Sequence, residues 1–287
     1  MADRHNQVAN KLDTRFRIGS MNKMFTATAV LQLAHAGKLR LTDPLGEYLT
    51  DYSNKEIATK VTAHHLLTHM GGEFDKNRLK LRTLSDYVTL YGKRGPEFEP
   101  GARFAYSNYG FLLLGGLIEK VSGQSYYDYV TEHIFRPASM TRTDSLPEEE
   151  RVEGRATGYM RQGEGWTTNT ATLPVRGTSA GGGYSTVADL VAFANAVVEH
   201  KLLNAEYTDL LTTGKVEGGP GAKYAYGFSD STETGVRWLG HGGGAPGMNG
   251  ELKFSPDSGY IIAVLSNLDP PAAGRIADFI SARLPAR

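Results

Sequence analysis

Polar and apolar positions alternate over residues 13–19, which predicts a short strand. Behind it Met24, Phe25, Thr28, Leu31 and Leu33 recur at helical spacing until Gly37, a natural helix stop, so Ser20 falls in the first helical turn. After a turn at Thr42-Asp43-Pro44, residues 61–70 read as a second apolar helix with Thr62 in position to cap it. Residues 97–101 form a turn-rich connector, and 111–121 a long helix stopped by Ser122-Gly123. Tyr126, Tyr127 and Tyr129 read as packing with partial exposure, and Pro147-Glu148-Glu149-Glu150 as a solvated run. The polar, glycine-rich stretch 154–183 suits loops over a cleft. Thr186 and Asp189 then form a capping box ahead of a helix over 190–198. Further on, 223–229, 236–241, 250–254 and 260–266 read as four strands, the last two joined by Pro256-Asp257-Ser258-Gly259. Links this short imply antiparallel neighbours, and a closing helix over 272–284 is placed to cover the sheet.

Together these elements predict an α+β fold, an antiparallel sheet assembled from the two chain ends and set against a helical middle. We read 1–287 as one domain of two lobes, a sheet lobe of 1–40 plus 216–287 and a helical lobe of 41–215. With 287 residues, 40% of them hydrophobic, the chain can bury the core this needs. Its 31 basic and 31 acidic residues balance, which speaks against a nucleic-acid or anionic-membrane partner. No apolar run reaches membrane-spanning length and residues 1–7 lack the apolar core of a signal peptide. The expected location is cytoplasmic, or exported with the signal absent from this chain. Zero cysteines exclude disulfides, thiolate catalysis and cysteine-held metals.

Three clusters carry candidate chemistry. Three residues apart on a helix, the Ser20 hydroxyl and the Lys23 ammonium share a face, and the helix N-terminus adds positive potential; both favour an alkoxide. The alternative is a capping serine with a solvated lysine. His65 and His69 are spaced as zinc ligands on one helical face. The glutamate of a metalloprotease helix and a third ligand are both lacking, so no metal or other cofactor is expected. Gly177-Thr178-Ser179-Ala180-Gly181 matches a nucleophile elbow, but the helix that should follow at once begins only near Thr186, leaving Ser179 as a lesser candidate.

Ser20 with Lys23, Tyr106-Ser107-Asn108, and His241-Gly242-Gly243-Gly244 on a strand together resemble the serine β-lactamase and penicillin-binding-protein superfamily. The tyrosine-containing second motif resembles the class C branch, shared with DD-peptidases, D-aminopeptidases and family VIII carboxylesterases. The resemblance implies an acyl-enzyme on Ser20, an oxyanion hole from the N–H groups of Ser20 and Gly244, and substrate contacts at Asn108, His241, Gly242 and Gly243. It implies Ser20, Lys23 and Tyr106 as the catalytic set. Lowering Tyr106 from about 10 to about 7 needs roughly 4 kcal/mol, which one ammonium about 4 Å away supplies at an effective dielectric near 20. Lys23 as the base would need near-complete burial, so Tyr106 is expected to be the base. His241 and Gly242 stand where the penicillin-recognising branch has lysine and threonine, and give a weak anion anchor. The expected substrate is therefore a short-chain carboxylic ester. A D-amino-acid peptidase or weak β-lactamase is the alternative, and a non-catalytic binding module the second. Only nineteen residues precede Ser20, fewer than the family's pattern, so the strand 260–266 is expected to present an open edge on which a second copy could pair. The segment after Gly71-Gly72 is shorter than the family's, which would open the cleft.

Overall fold

The computed structural model describes residues 1–72, 83–219 and 221–285. The segment expected to be short after Gly72 lies outside the described residues. A two-residue strand β1 (Phe16–Arg17) leads through a single 3₁₀ turn at Gly19–Met21 into α1 (Asn22–His35). The helices α2 (Lys55–Lys60), α3 (Ala63–Leu67), α4 (Leu84–Tyr91), α5 (Asn108–Ser122) and α6 (Tyr126–Val130) follow. Next come the hairpin β2 (Tyr159–Gln162) and β3 (Gly165–Thr168), then β4 (Tyr184–Ser185), α7 (Val187–Val198) and α8 (Ala205–Thr212). The chain ends in β5 (Val216–Gly219), β6 (Ala222–Tyr224), β7 (Ser229–Glu233), β8 (Val236–Ala245), β9 (Met248–Phe254), β10 (Ile261–Ser266) and α9 (Ala272–Ser281).

The main sheet is antiparallel throughout, in the order β10-β9-β8-β7-β6-β5. Side chains alternate across it. Leu239, Leu252 and Phe254 face the large core that α1, α5 and α7 share, whereas Val236, Trp238 and Ile262 face Ala277 of α9. Most of α1 lies inside: every residue from Asn22 to Leu31 is buried, and only its last turn reaches the surface. Phe25 anchors it, edge-on to Phe135 and Phe193 with centroids 5.2 and 4.8 Å away.

The α+β class and the flanking helices agree with the expectation, but four details differ. β1 does not join the main sheet, which is built from C-terminal strands alone. It pairs with β4, Phe16 opposite Ser185, because Arg15, Ile18 and Gly19 already exchange backbone bonds with Gly154, Ala156, Gly182 and Gly183. The strand expected over 223–229 breaks at Gly227 (φ +71°), so β6 and β7 are hairpin neighbours. α3 stops at Leu67 and His69 takes φ +57°, so His65 and His69 do not share a helical face. Finally, the run at Glu148 is more than a solvated patch, since Glu148 holds Arg17 at 2.5 Å and Arg155 at 3.3 Å.

Candidate active site

Gly19 takes φ +53°, a conformation that L side chains rarely adopt, and it turns the chain so that Ser20 sits in the middle of the 3₁₀ lead-in to α1. One turn on, Lys23 is fully buried, with no solvent exposure. Its Nζ lies 3.3 Å from Ser20 Oγ, 2.7 Å from Asn108 Oδ1, and in contact with the Ala180 carbonyl. The alternative of a solvated surface lysine is thereby removed. Asn108 is delivered by the first turn of α5, where the Ser107 hydroxyl accepts from Gly110 N–H and caps the helix.

Tyr106 arrives from the other side of the cleft. Its hydroxyl is hydrogen-bonded to the Ser20 side chain, and Lys23 Nζ sits over its ring, 4.8 Å from the centroid. Burial pushes its phenol up to about 12, opposed only by the Ser20 bond. This is opposite to the expected direction. Although 42% of Tyr106 faces solvent, desolvation of the phenol dominates.

The third motif lies on β8. A two-residue turn, Pro246-Gly247, closes the β8–β9 hairpin with Ala245 opposite Met248. Alternation along an antiparallel ladder then points the N–H groups of Gly243 and Ala245 at β9 and that of Gly244 away from it. On that outer side β7 pairs only as far as Gly240, so the Gly244 N–H faces the nucleophile turn. Contact there is close. A Cβ at Gly243 would stand 1.9 Å from the Ile18 carbonyl oxygen, and one at Gly19 would stand 3.1 Å from Gly244 N. Bare backbone is what lets Ser20 and Gly244 line one hollow. Gly242 faces the opposite side, where a Cβ would meet the Glu251 carboxylate at 2.6 Å.

His241 is buried beside Tyr106, with ring centroids 6.4 Å apart. Burial, then the Lys23 charge, push its imidazole down to about 4, with the bond to Gly242 opposing. Neutral near pH 7, it is a weaker anion anchor than its unperturbed value suggested.

Ser179 is not a second nucleophile. It is fully buried, its Oγ has no hydrogen-bond partner, and its carbonyl accepts from Thr26. Its loop, read as covering the cleft, instead packs beneath it. Gly182 N–H bonds the Gly19 carbonyl, Tyr127 Oη donates to the Gly177 carbonyl, and Ala180 holds Lys23. His65 caps α3 with its own side chain, and among the described residues no cluster of metal-binding side chains occurs. The sequence reading missed Asn249, whose Nδ2 donates to the Gly243 carbonyl at 3.0 Å and whose Oδ1 accepts from Ala273 N–H at 2.7 Å. The Pro246-Gly247 turn was the signal that places it opposite Gly244.

Ser20, the buried Lys23, Tyr106 and the Gly244 strand stand together as the three motifs of the β-lactamase and penicillin-binding-protein superfamily do. A family model described as Beta-lactamase matches residues 1–287, and the chain belongs to that family. It is 30% identical over 272 residues, 93% of this chain, to a Bacillus subtilis (strain 168) protein carrying the name penicillin-binding protein PbpX, and spans 66% of that relative's length, just under two thirds. Among solved structures, it is similar to a penicillin-binding protein from Bacillus halodurans, with TM-score 0.89 and 33% identity over 98% of this chain and 90% of that one. A D-stereospecific amidohydrolase from a Streptomyces species follows with TM-score 0.81 and 26% identity, over 92% and 85% of the two chains.

Proposed function

We propose that the protein is a serine carboxylesterase that cleaves short-chain, uncharged esters through an acyl-enzyme on Ser20. The observation that carries this reading is the third motif, where a neutral, buried His241 offers no cation to a substrate carboxylate and Gly242 faces Glu251 on the other side of the strand. A neutral ester loses least from that.

Asn108 Oδ1 and the Ala180 carbonyl can only accept, so each takes an N–H of Lys23, and Ser20 Oγ lies within reach of what remains. Burial disfavours a tyrosinate, and the full enclosure of Lys23 meets the condition that the sequence reading set against lysine as base. We therefore read the neutral amine of Lys23 as the acceptor of the Ser20 proton; the Tyr106 phenol gives its own proton to the leaving alkoxide and takes up the one held on Lys23 in the same step, so that no tyrosinate persists. Ser20 Oγ bonds the ester carbon, and the carbonyl oxygen becomes an oxyanion held by the Ser20 and Gly244 N–H groups. The C–O bond then breaks and the alcohol leaves. Water repeats the steps and frees the acid.

A fluorophosphonate is expected to label the protein at Ser20 and to spare a Ser20→Ala variant, with p-nitrophenyl butyrate turned over faster than a chromogenic cephalosporin or D-alanyl peptides. Lys23→Ala and Tyr106→Phe should each lower kcat by about 10²-fold or more. No labelling would reduce the chain to a binding module. The second reading is a D-amino-acid amidase or peptidase, supported by the likeness to the Streptomyces amidohydrolase, and D-amide turnover exceeding ester turnover would establish it instead.

A further inference from the structure

His69 and Tyr224 meet His241 inside the molecule, and the reaction described above uses neither of them. Ser107 N–H points at His69 Nδ1 (3.0 Å), and His69 Nε2 lies 3.1 Å from Tyr224 Oη. Tyr224 Oη is 3.1 Å from His241 Nε2, and His241 Nδ1 is 2.5 Å from the Gly242 carbonyl oxygen. A backbone N–H only donates and a backbone carbonyl only accepts, so the two ends fix the sense of every bond between them. His69 Nδ1 must present a lone pair, which puts the hydrogen on Nε2. Tyr224 accepts that hydrogen and gives its single O–H to His241 Nε2. His241 therefore carries its own hydrogen on Nδ1 and donates it to Gly242.

The geometry points to His69 and Tyr224 as positioning residues that hold His241 in one neutral tautomer and tie the second motif to the third, making the cleft selective for uncharged acyl groups. A proton added to His241 would aim an N–H at a Tyr224 oxygen that already accepts one, and the phenolic hydrogen would lose its present acceptor. Position is transmitted as well as charge. The His69 ring lies against Tyr106 with centroids 4.3 Å apart, and against Phe104 and Phe111 at 5.6 and 5.0 Å. The titratable groups facing the two imidazoles come from three elements: Lys23 of α1, Tyr106 ahead of α5 and Tyr224 of β6. Burial first, then the Lys23 charge, hold His69 well below 6.5, in line with its neutral place in the chain of bonds.

The inference rests on the proposed esterase reading only for its kinetic consequence. The tautomers are properties of the resting protein. Long-range ¹H–¹⁵N spectra of histidine-labelled wild type between about pH 5.5 and 8 should show His69 as the Nε2–H form and His241 as the Nδ1–H form, neither titrating. The reverse tautomer at either ring, or a His241 that titrates near 6.5, would overturn the proposal. In Tyr224→Phe, kcat for a neutral ester should fall about tenfold, the kinetic equivalent of one neutral hydrogen bond, with KM nearly constant and the His241 tautomer preference lost. A folded Tyr224→Phe protein with unchanged kcat and unchanged spectra would equally sink it. Should that variant not fold, the wild-type spectra decide alone. Expected tautomers in a protein without ester turnover would uphold the network and remove the activity.

Discussion

Asn249 shows how one side chain can govern a reaction it does not touch. Its amide spans the Gly243 carbonyl and the Ala273 N–H at the start of α9, fixing the peptide plane whose N–H, on Gly244, faces Ser20. Asn249→Ala leaves the Ala273 N–H buried and unpaired, at about 1–3 kcal/mol, removes the second bond to the Gly243 carbonyl and lets that plane rock. We expect a lowered unfolding temperature together with a kcat loss of about tenfold or more, because an oxyanion donor is effective only when aimed beforehand. Unchanged kcat in a folded variant would mean that the strand alone aims the donor. The fate of Tyr106 also belongs at this scale. Its motif was legible because tyrosine, serine and asparagine occur together ahead of a helix. Its ionisation was not, since the direction of a phenol's shift depends on how far the fold desolvates its oxygen, which spacing in a chain does not encode.

Among the elements, those with strong periodicity were legible. α5 and α7 stand near their expected bounds, Gly123 ends α5 with φ +75°, and Thr186 caps α7. Asp189 departs from its half of that box, for its carboxylate bonds Arg142 N–H and the Thr143 hydroxyl. β5 and β7 escaped notice because Val216–Gly219 and Ser229–Glu233 are rich in glycine, serine and acidic residues, and they are strands only by virtue of their neighbours. The loop 177–183 was misplaced for a related reason: a polar, glycine-rich stretch looks solvated, yet here its carbonyls are ligands for Lys23, Asn22 and Tyr127. Packing of α5 on this loop gives a test. A Cβ at Gly115 would stand 2.3 Å from Ser179 Oγ and 2.7 Å from Leu84 Cδ1, so Gly115→Ala should destabilise by about 1–3 kcal/mol and, by displacing Ala180, lower kcat. At Gly116 the nearest atom is Val88 Cγ2 at 3.7 Å, and Gly116→Ala should be neutral or stabilising in the same thermal unfolding and rate measurements.

For the whole molecule, groups buried on the two faces of the sheet pull stability in opposite directions with pH. His241, held at about 4, and His69, also depressed, stay neutral in the fold while the unfolded chain takes up protons below about 6.5, so each removes stability as pH falls. For His241 the window runs from about 6.5 to 4 and is worth roughly 3 kcal/mol. On the other face, burial raises Glu251 to about 7 despite Lys253, so it keeps its proton in the fold; its contribution is present below about 4.5 and lost as pH rises through 7. Thermal unfolding of the wild type should thus decline gently on acidification. Glu251→Gln should be more stable than wild type at pH 8 and fall more steeply between pH 6.5 and 4.5; equal slopes would show that the carboxyl ionises normally. The sheet's strict sequential order has a consequence for biosynthesis. Six consecutive strands assemble from local hairpins, whereas Ser20 is synthesised well before Gly244 and must wait for it. Until both have been made and the β8–β9 hairpin has docked on the turn ahead of α1, no hollow joins them.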